Sequence, residues 1–378
     1  MNRQHLLSRL ASRGWPIYYT TGALDLWDRH GNAWKKSHWL GKTEPIDGVS
    51  LYHAGKLIPR WRNQPRWDQL ALKHHTRRLC KISMKHHDNQ PIMMLFHPGF
   101  WPYVEYLTHY PIIFHAYDLY SAQPDWNEEK ESFQTALLQR ANLVTASSKS
   151  IAEILEKESG RNIAYLPNGA DVKAFNYQNV GNCPDDLAAI PQPRIGYIGA
   201  INKKVDLRII AGISKARPNW NWCLIGPIAH NELQSDPELF AAYKHCLNST
   251  NVHFLGERRH DIIPSYANHM DINTMCYRCD GDGWWKNIYP LKMHEYLATG
   301  KPVVSSDVPS VREYADVIAI ANDDHQWINL LQACLQNGGA GSSDQRLAVA
   351  QQNSWETRVT QLEQWLLQLS KAEYDPLR

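Results

Sequence analysis

Lys292 and Glu295 stand three residues apart in the stretch Tyr289-Pro290-Leu291-Lys292-Met293-His294-Glu295-Tyr296-Leu297-Ala298-Thr299-Gly300-Lys301-Pro302-Val303-Val304. That spacing makes side chains neighbours on a helix surface. Pro290 suits a first helical position, where its missing N–H would have no intrahelical partner anyway. Gly300 suits the residue just past a helix end, where the chain turns left-handed. Met293, Tyr296 and Leu297 then form an apolar face, and Lys292, Glu295 and Thr299 a polar one. A cation and an acid at a helix start, with free N–H groups and the helix dipole, can hold a phosphate and the hydroxyls beside it. A surface ion pair is the plainer use of the same two residues.

A second group lies in the first half. His97 follows the apolar run 92–96, and His115 and Asp118 follow the run 112–114. Imidazole and carboxylate groups at strand ends suit proton transfer to or from a substrate hydroxyl. Loop fixing or helix capping would use the same Asp. Two other motifs carry less weight. Cys276-Tyr277-Arg278-Cys279 is a single Cys-x-x-Cys without a second pair at zinc spacing. Asp280-Gly281-Asp282 has a metal-binding form but reads as a loop, so no metal is expected. The loop 280–286, with Trp284 and Trp285, is a candidate for contact with a sugar. Between 56 and 67, Lys56, Arg60, Arg62 and Arg66 interleave with Trp61 and Trp67, with no acid among them. The next segment adds Lys73, Arg77, Arg78, Lys81 and Lys85. Basic and Trp residues together suit peripheral contact with an anionic membrane. A solvated helix face is the alternative.

Composition bounds these readings. A chain of 378 residues is long for one core, so two domains are expected. A formal charge of +2 gives no reason to expect a nucleic-acid binder. Seven scattered Cys show no disulfide framework, which suits a reducing compartment. Met1 leads directly into a polar amphipathic stretch, so neither a signal peptide nor a membrane span is expected, and the expectation is a cytoplasmic protein.

The elements that must position these residues alternate. Apolar runs at 16–20, 49–52, 92–96, 112–114, 143–146 and 163–166 read as strands, with helical patterns at 2–12, 67–84, 126–140 and 148–159. A second series of strands reads at 194–199, 222–226, 252–256, 270–275, 302–305 and 317–320. Strands alternating with helices argue for mainly parallel sheets covered on both faces. The Asn-, Asp- and Pro-rich segment 177–193 reads as a linker. The domains are expected at 1–182 and 190–354. A terminal amphipathic helix over 355–378 is expected to pack back toward the first domain.

Together these pieces resemble the GT-B glycosyltransferases, nearest to the bacterial group usually filed with family 4. The segment Pro290-x-Lys292-x-x-Glu295-Tyr296-Leu297-Ala298-x-Gly300-Lys301-Pro302-Val303-Val304 carries most of the likeness. Arg140–Ser148, Leu166–Asp171, Ile195–Ala200 and Ser354-Trp355-Glu356 support it by order and spacing. The resemblance implies an α/β GT-B fold of two Rossmann-like, doubly wound domains facing a cleft. It implies that Glu295 binds the ribose of a nucleoside-diphosphate sugar, Lys292 its diphosphate, and Gly199 lets the backbone approach. Asn287 and Tyr289 are further donor-side candidates. Asn287 stands where the family usually has a second Glu, which leaves retention or inversion of the anomeric centre open. Lys203 and Lys204 lie near the place of the family's usual basic pair. The segment around Asp118 resembles a strand-end Tyr-x-x-x-Asp region of this group, which makes Asp118 the leading catalytic candidate and His115 the reserve. The chain begins at a helix where the family begins with a strand.

The implied activity is transfer of a hexosyl or uronosyl group from a nucleotide-sugar donor to a lipid-linked or glycan acceptor in cell-surface polysaccharide assembly. No cofactor is expected beyond the donor, and peripheral contact would be with the inner face of the cell membrane. A nucleotide-sugar epimerase on the same fold and a non-catalytic nucleotide-sugar-binding or scaffold protein are the alternatives.

Overall fold

The computed structural model describes residues 2–85, 90–176, 178, 181–280 and 284–371. The chain folds into two compact units, Met1–Pro167 with Arg358–Arg378, and Asn168–Thr357.

The first unit opens with helix Asn2–Ser12, whose Leu6 and Leu10 are buried. Seven strands follow among the described residues: β1 (Tyr18–Thr20), β2 (Lys42–Ile46), β3 (Val49–His53), β4 (Met93–Leu95), β5 (Ile112–Ala116), β6 (Leu143–Ala146) and β7 (Ala164–Tyr165). They form two sheets, in the orders β1-β3-β2 and β4-β5-β6-β7. All pairs are parallel except β2 with β3. Every residue of β5 is buried, as a strand covered on both faces requires. Around it Phe114, Leu137, Val144, Ile151 and Leu155 form the core. Helix Glu128–Arg140 is capped by Asn127, which accepts from Lys130 N, and helix Lys149–Ser159 by Ser148, which accepts from Ile151 N. In the last helix, Trp355–Lys371, Glu363 meets Arg13 at 2.8 Å and accepts from Trp15 Nε1 at 2.8 Å. Those contacts tie the chain's final described segment to the first unit.

Among its described residues the second unit holds six strands: β8 (Arg194–Ile198), β9 (Asn221–Ile225), β10 (Val252–Gly256), β11 (Ile272–Met275), β12 (Val303–Ser306) and β13 (Ala319–Ala321). All pairs are parallel, in the order β10-β9-β8-β11-β12-β13. Order therefore reverses between β8 and β11, and in such sheets ligands bind beyond the strands' carboxyl ends at that reversal. Trp222, Leu224, Ile210, Ile213 and Trp327 are among the residues that fill the core.

Two expectations are corrected. Segment 177–193 is no linker, because the division between units falls after Pro167. Its described part contains helix Asp185–Ala188, with Leu187 fully buried. Asp186 meets Arg258 at 2.7 Å and accepts from Tyr266 Oη at 2.8 Å, which fixes the segment to the second unit. Strand β2 has no counterpart among the sequence-derived strands. Its residues Lys-Thr-Glu-Pro-Ile are mostly exposed and lack apolar alternation. The signal that marks it is the following Asp47-Gly48, both at positive φ (50° and 78°), the two-residue turn that closes a hairpin.

Candidate donor-nucleotide site

Helix Leu291–Leu297 begins with Pro290 as its N-cap, one place earlier in role than the sequence reading gave it. Met293, Tyr296 and Leu297 are buried as expected. His294 is buried with them, its Nε2 2.6 Å from Tyr289 Oη. Tyr289 Oη lies 2.9 Å from Tyr314 Oη, and Tyr289's carbonyl accepts from Asn168 Nδ2 at 2.7 Å. Tyr289 thus anchors the helix start within the unit. At the other end Gly300 has φ +70°, and its carbonyl accepts from the buried Arg346 at 2.9 Å. Thr299 does not join the polar face: its hydroxyl is buried and donates to Tyr296 O at 2.6 Å. Tyr296 Oη accepts from Ile198 N at 2.8 Å and so locks the helix onto the end of β8.

That lock brings Lys292 to the sheet's reversal point. Its ammonium sits 3.7 Å from the centre of the Tyr197 ring on β8 and 5.6 Å from that of Tyr277, just past β11. Ring faces are negative, so both attract the cation. The ammonium is enclosed and has no hydrogen-bond acceptor among the described residues. Burial, with Lys204 as a like charge nearby, holds its pKa well below the ordinary 10.5. Glu295 has neither a hydrogen bond nor a close ion pair among the described residues. Burial raises its carboxyl to about 8, against the opposing pull of Lys292. The surface ion pair that the spacing allows is therefore not made. An enclosed cation without a hydrogen-bond partner is costly, and such a group marks a place where a ligand completes the set.

Gly199 follows β8 with φ +141°. A Cβ there would lie 2.6 Å from Lys292 Nζ, so any side chain would press on the ammonium. Gly226, at the equivalent end of β9, has φ +146°, and a Cβ on it would lie 2.2 Å from Gly199 O. The two backbones touch because neither residue has a side chain. Asn287 ends the short helical turn Trp284–Asn287, directly ahead of Tyr289. The loop after β11 is held by charges. Arg278 meets Asp236 at 2.7 Å and Asp280 at 2.9 Å, and Arg208 meets Asp206 at 2.8 Å and Asp280 at 2.9 Å. Hydrogen bonds from Arg278 lead the causes that hold Asp280 down to about 2. Asp280 is thus an anchor for the loop, while Gly281 and Asp282 lie outside the described residues. Cys276 is buried and Cys279 exposed.

The first unit's candidates are placed differently. His115 on β5 is fully buried, with Nδ1 2.8 Å from Thr145 Oγ1 and its ring edge-on to Phe96. Burial pushes it down to about 3, so it is neutral. A ring sealed in the sheet does not reach a substrate. Asp118 lies beyond the carboxyl end of β5 and is half-buried. Its Oδ1 accepts from Leu119 N and its Oδ2 from Gln123 Nε2, both at 3.0 Å. His97 caps the turn Pro98–Phe100 through Gly99 N at 2.9 Å. Arg60 and Arg62, offered by the sequence as free cations, are paired: Arg60 with Asp68 at 2.7 Å and Arg62 with Asp25 at 2.7 Å. The rings of Tyr197 and Tyr277 and the hydroxyl of Tyr296 are site residues the sequence reading missed. Nothing in their local spacing distinguishes them from core tyrosines.

Comparisons with known proteins agree with this placement. Residues 192–337 match the family model of glycosyl transferases group 1. A protein of Bacillus subtilis (strain 168) named as a teichuronic acid biosynthesis glycosyltransferase, TuaH, is 29% identical over 245 residues. That match spans 61% of this chain and 58% of the relative, less than two thirds of its length. Sucrose-phosphate synthase from Thermosynechococcus elongatus superposes with a TM-score of 0.72 at 16% identity, covering 98% of this chain and 93% of that one. HepE of Anabaena, solved in complex with UDP and glucose, superposes at 0.62 with 17% identity over 79% of this chain and 82% of that one. In fold, then, the chain is a GT-B protein of two Rossmann-like units, and its residues 192–337 are similar to the group 1 glycosyltransferases.

Proposed function

We propose that the protein is a glycosyltransferase that takes a sugar from a nucleoside-diphosphate donor held at Lys292, Glu295 and Gly199, and passes it to a glycan or lipid-linked acceptor of cell-surface polysaccharide assembly. The enclosed ammonium of Lys292 at the sheet's reversal, without a hydrogen-bond partner among the described residues, carries this reading. A diphosphate supplies the acceptor oxygens that Lys292 lacks, and its charge favours the protonated amine. Ribose hydroxyls give Glu295 two donors. The absence of a side chain at Gly199 leaves room for the pyrophosphate against the backbone. Asn287, before the helix, is the group on hand for a sugar hydroxyl.

Transfer also needs relief of charge on the leaving diphosphate and a base for the acceptor hydroxyl. Lys292 meets the first need. For the second we assign Asp118, whose carboxylate is oriented by Leu119 N and Gln123. His115 acts as a positioning residue within β5, bonded to Thr145 on the neighbouring strand. Support for the donor class comes from HepE, whose solved complex contains UDP and glucose, and for the setting from the name of the TuaH relative.

Calorimetric titration with UDP, GDP and their sugars tests the reading, followed by acceptor-dependent release of the free nucleotide. Absence of binding by all of them overturns the donor site. Conversion of donor to a new nucleotide sugar without any acceptor replaces the transferase with an epimerase. Binding without turnover across acceptors leaves a nucleotide-sugar-binding protein.

A further inference from the structure

Helix Pro65–Ser83 buries Ala71, Leu72, His75, Thr76 and Cys80 against the first unit. Its opposite face carries Leu70, Lys73, Arg77 and Lys81, at spacings of three, four and four residues, all exposed. This stripe lines a shallow hollow of about 350 Å³ together with His74 and Arg78. His74 and Arg78 also line a second hollow of about 120 Å³, whose wall includes Trp39, Leu40, Tyr52 and Leu57. The two hollows thus share two lining residues. Arg78 donates to Gly41 O at 3.0 Å and lies over the Tyr52 ring, so it fixes the Trp39–Gly41 loop to the helix.

On the outer rim Trp39 is 71% exposed, Leu40 63%, Leu57 56% and Leu70 50%. Large side chains left in water side by side mark an interaction surface. Among the described residues no Asp or Glu lines either hollow. The apolar rim and the cationic stripe thus share one face, the arrangement that an anionic lipid surface rewards twice. Rings and aliphatic chains enter the interface, and ammonium and guanidinium groups meet phosphates.

We propose that this face of the first unit docks on a bilayer containing anionic phospholipid, with Trp39, Leu40 and Leu57 entering the headgroup layer and Lys73, Arg77 and Lys81 contacting lipid phosphates. The basic helix is part of the surface the sequence indicates, and the exposed Trp39 and Leu40 are what the structure adds to it. Arg60 and Arg62 are tied to Asp68 and Asp25 inside the unit, and the exposed Lys73, Arg77 and Lys81 lie about two to four turns past the start of the helix that follows. The inference stands on the first unit alone and is independent of the donor site.

Cosedimentation of the whole protein with phosphatidylcholine vesicles, with and without about one third phosphatidylglycerol, tests it. Binding should require phosphatidylglycerol and weaken as salt rises. The triple variant Lys73→Glu, Arg77→Glu, Lys81→Glu should lose at least about tenfold in partitioning. The variant Trp39→Ser, Leu40→Ser should also bind less, with the salt dependence kept. A control set outside the two hollows, Lys157→Glu, Lys215→Glu, Lys371→Glu, should partition like the wild type. Far-UV circular dichroism and the thermal midpoint identify variants that retain the fold. Equal binding to pure phosphatidylcholine, unchanged partitioning of the folded triple variant, or loss in the control set overturns the proposal. So does binding of an oligonucleotide through the same three residues with none to vesicles.

Discussion

The two strand-end clusters, around Asp118 in the first unit and around Lys292 in the second, differ in how their polar groups are satisfied. Asp118 has both oxygens taken by Leu119 N and Gln123, while His115, sealed inside the sheet, is bonded to Thr145 through Nδ1 and has no partner for Nε2 among the described residues. The Lys292 ammonium is enclosed and has no hydrogen-bond partner among the described residues, and the half-buried Glu295 makes no ion pair with it. A satisfied polar group holds its own loop in place, and its hydrogen bonds contribute about 1 kcal/mol each. An enclosed group left unsatisfied costs stability until a ligand arrives. The second cluster therefore has the marks of a binding site and the first those of a preset geometry, which suits a base that must be aimed more than a pocket that must be filled.

The sharpest way to break this contrast is Asp118→Asn. If the carboxylate is an aimed base, turnover should fall by about 100- to 10,000-fold while UDP affinity stays within about twofold, read by steady-state kinetics and calorimetry. Normal turnover would return Asp118 to loop fixing. Next in size is Gly226→Ala. The new Cβ would strike Gly199 O at 2.2 Å in a backbone conformation that L side chains rarely adopt. We expect a loss of about 3 kcal/mol in unfolding free energy by denaturant titration, with weaker donor binding in whatever remains folded. An unchanged midpoint would mean that the two backbones separate easily, and the narrow wall beside Lys292 would lose its basis.

Glu295→Ala should weaken UDP binding by about 10- to 100-fold, the worth of hydrogen bonds to a charged group, and reduce turnover along with it. Asp118→Asn should leave that affinity alone, so the two variants separate the clusters. If Glu295→Ala binds UDP as tightly as the wild type, the ribose role passes to another group.

The smallest effect is a pH dependence of the ligand-free protein. Glu295 keeps its proton to about pH 8 when folded, against an ordinary value of 4.5. Between those values the native state holds a proton that the unfolded chain has released. Its contribution is thus fully present below about pH 4.5 and is lost as pH rises through 8. Lys292, shifted down, contributes in the opposite sense at higher pH. The difference in thermal midpoint between wild type and Glu295→Gln should therefore decline from pH 5 to pH 8, by about a unit of Tm for each few tenths of a kcal/mol. A flat difference would show that Glu295 is already ionised and paired in solution.

Much of this was legible in the residues. Pro290 and Gly300 bound the helix, and the apolar spacing of Met293, Tyr296 and Leu297 named its buried face. The central strand β5 reads directly from its apolar run, because a strand covered on both sides needs one. Order and spacing of short motifs carried the fold. Strand β2 was harder, since an exposed edge has no apolar pattern to display. The boundary between units was read too late, because a polar stretch such as 177–193 looks the same whether it is free or pinned by a buried Leu187 and an Asp186–Arg258 pair.

The sequence by itself determined which groups could meet on one helix face, since i and i+3 neighbours follow from helix geometry alone. Only the tertiary structure decided what they meet. Tyr296 bonds to β8, and that contact carries Lys292 onto the ring of a tyrosine 95 positions away and against a glycine backbone. Burial then separates the pair from other partners and shifts both protons. Desolvation depends on every atom packed around a group, and no spacing of residues along a chain records that.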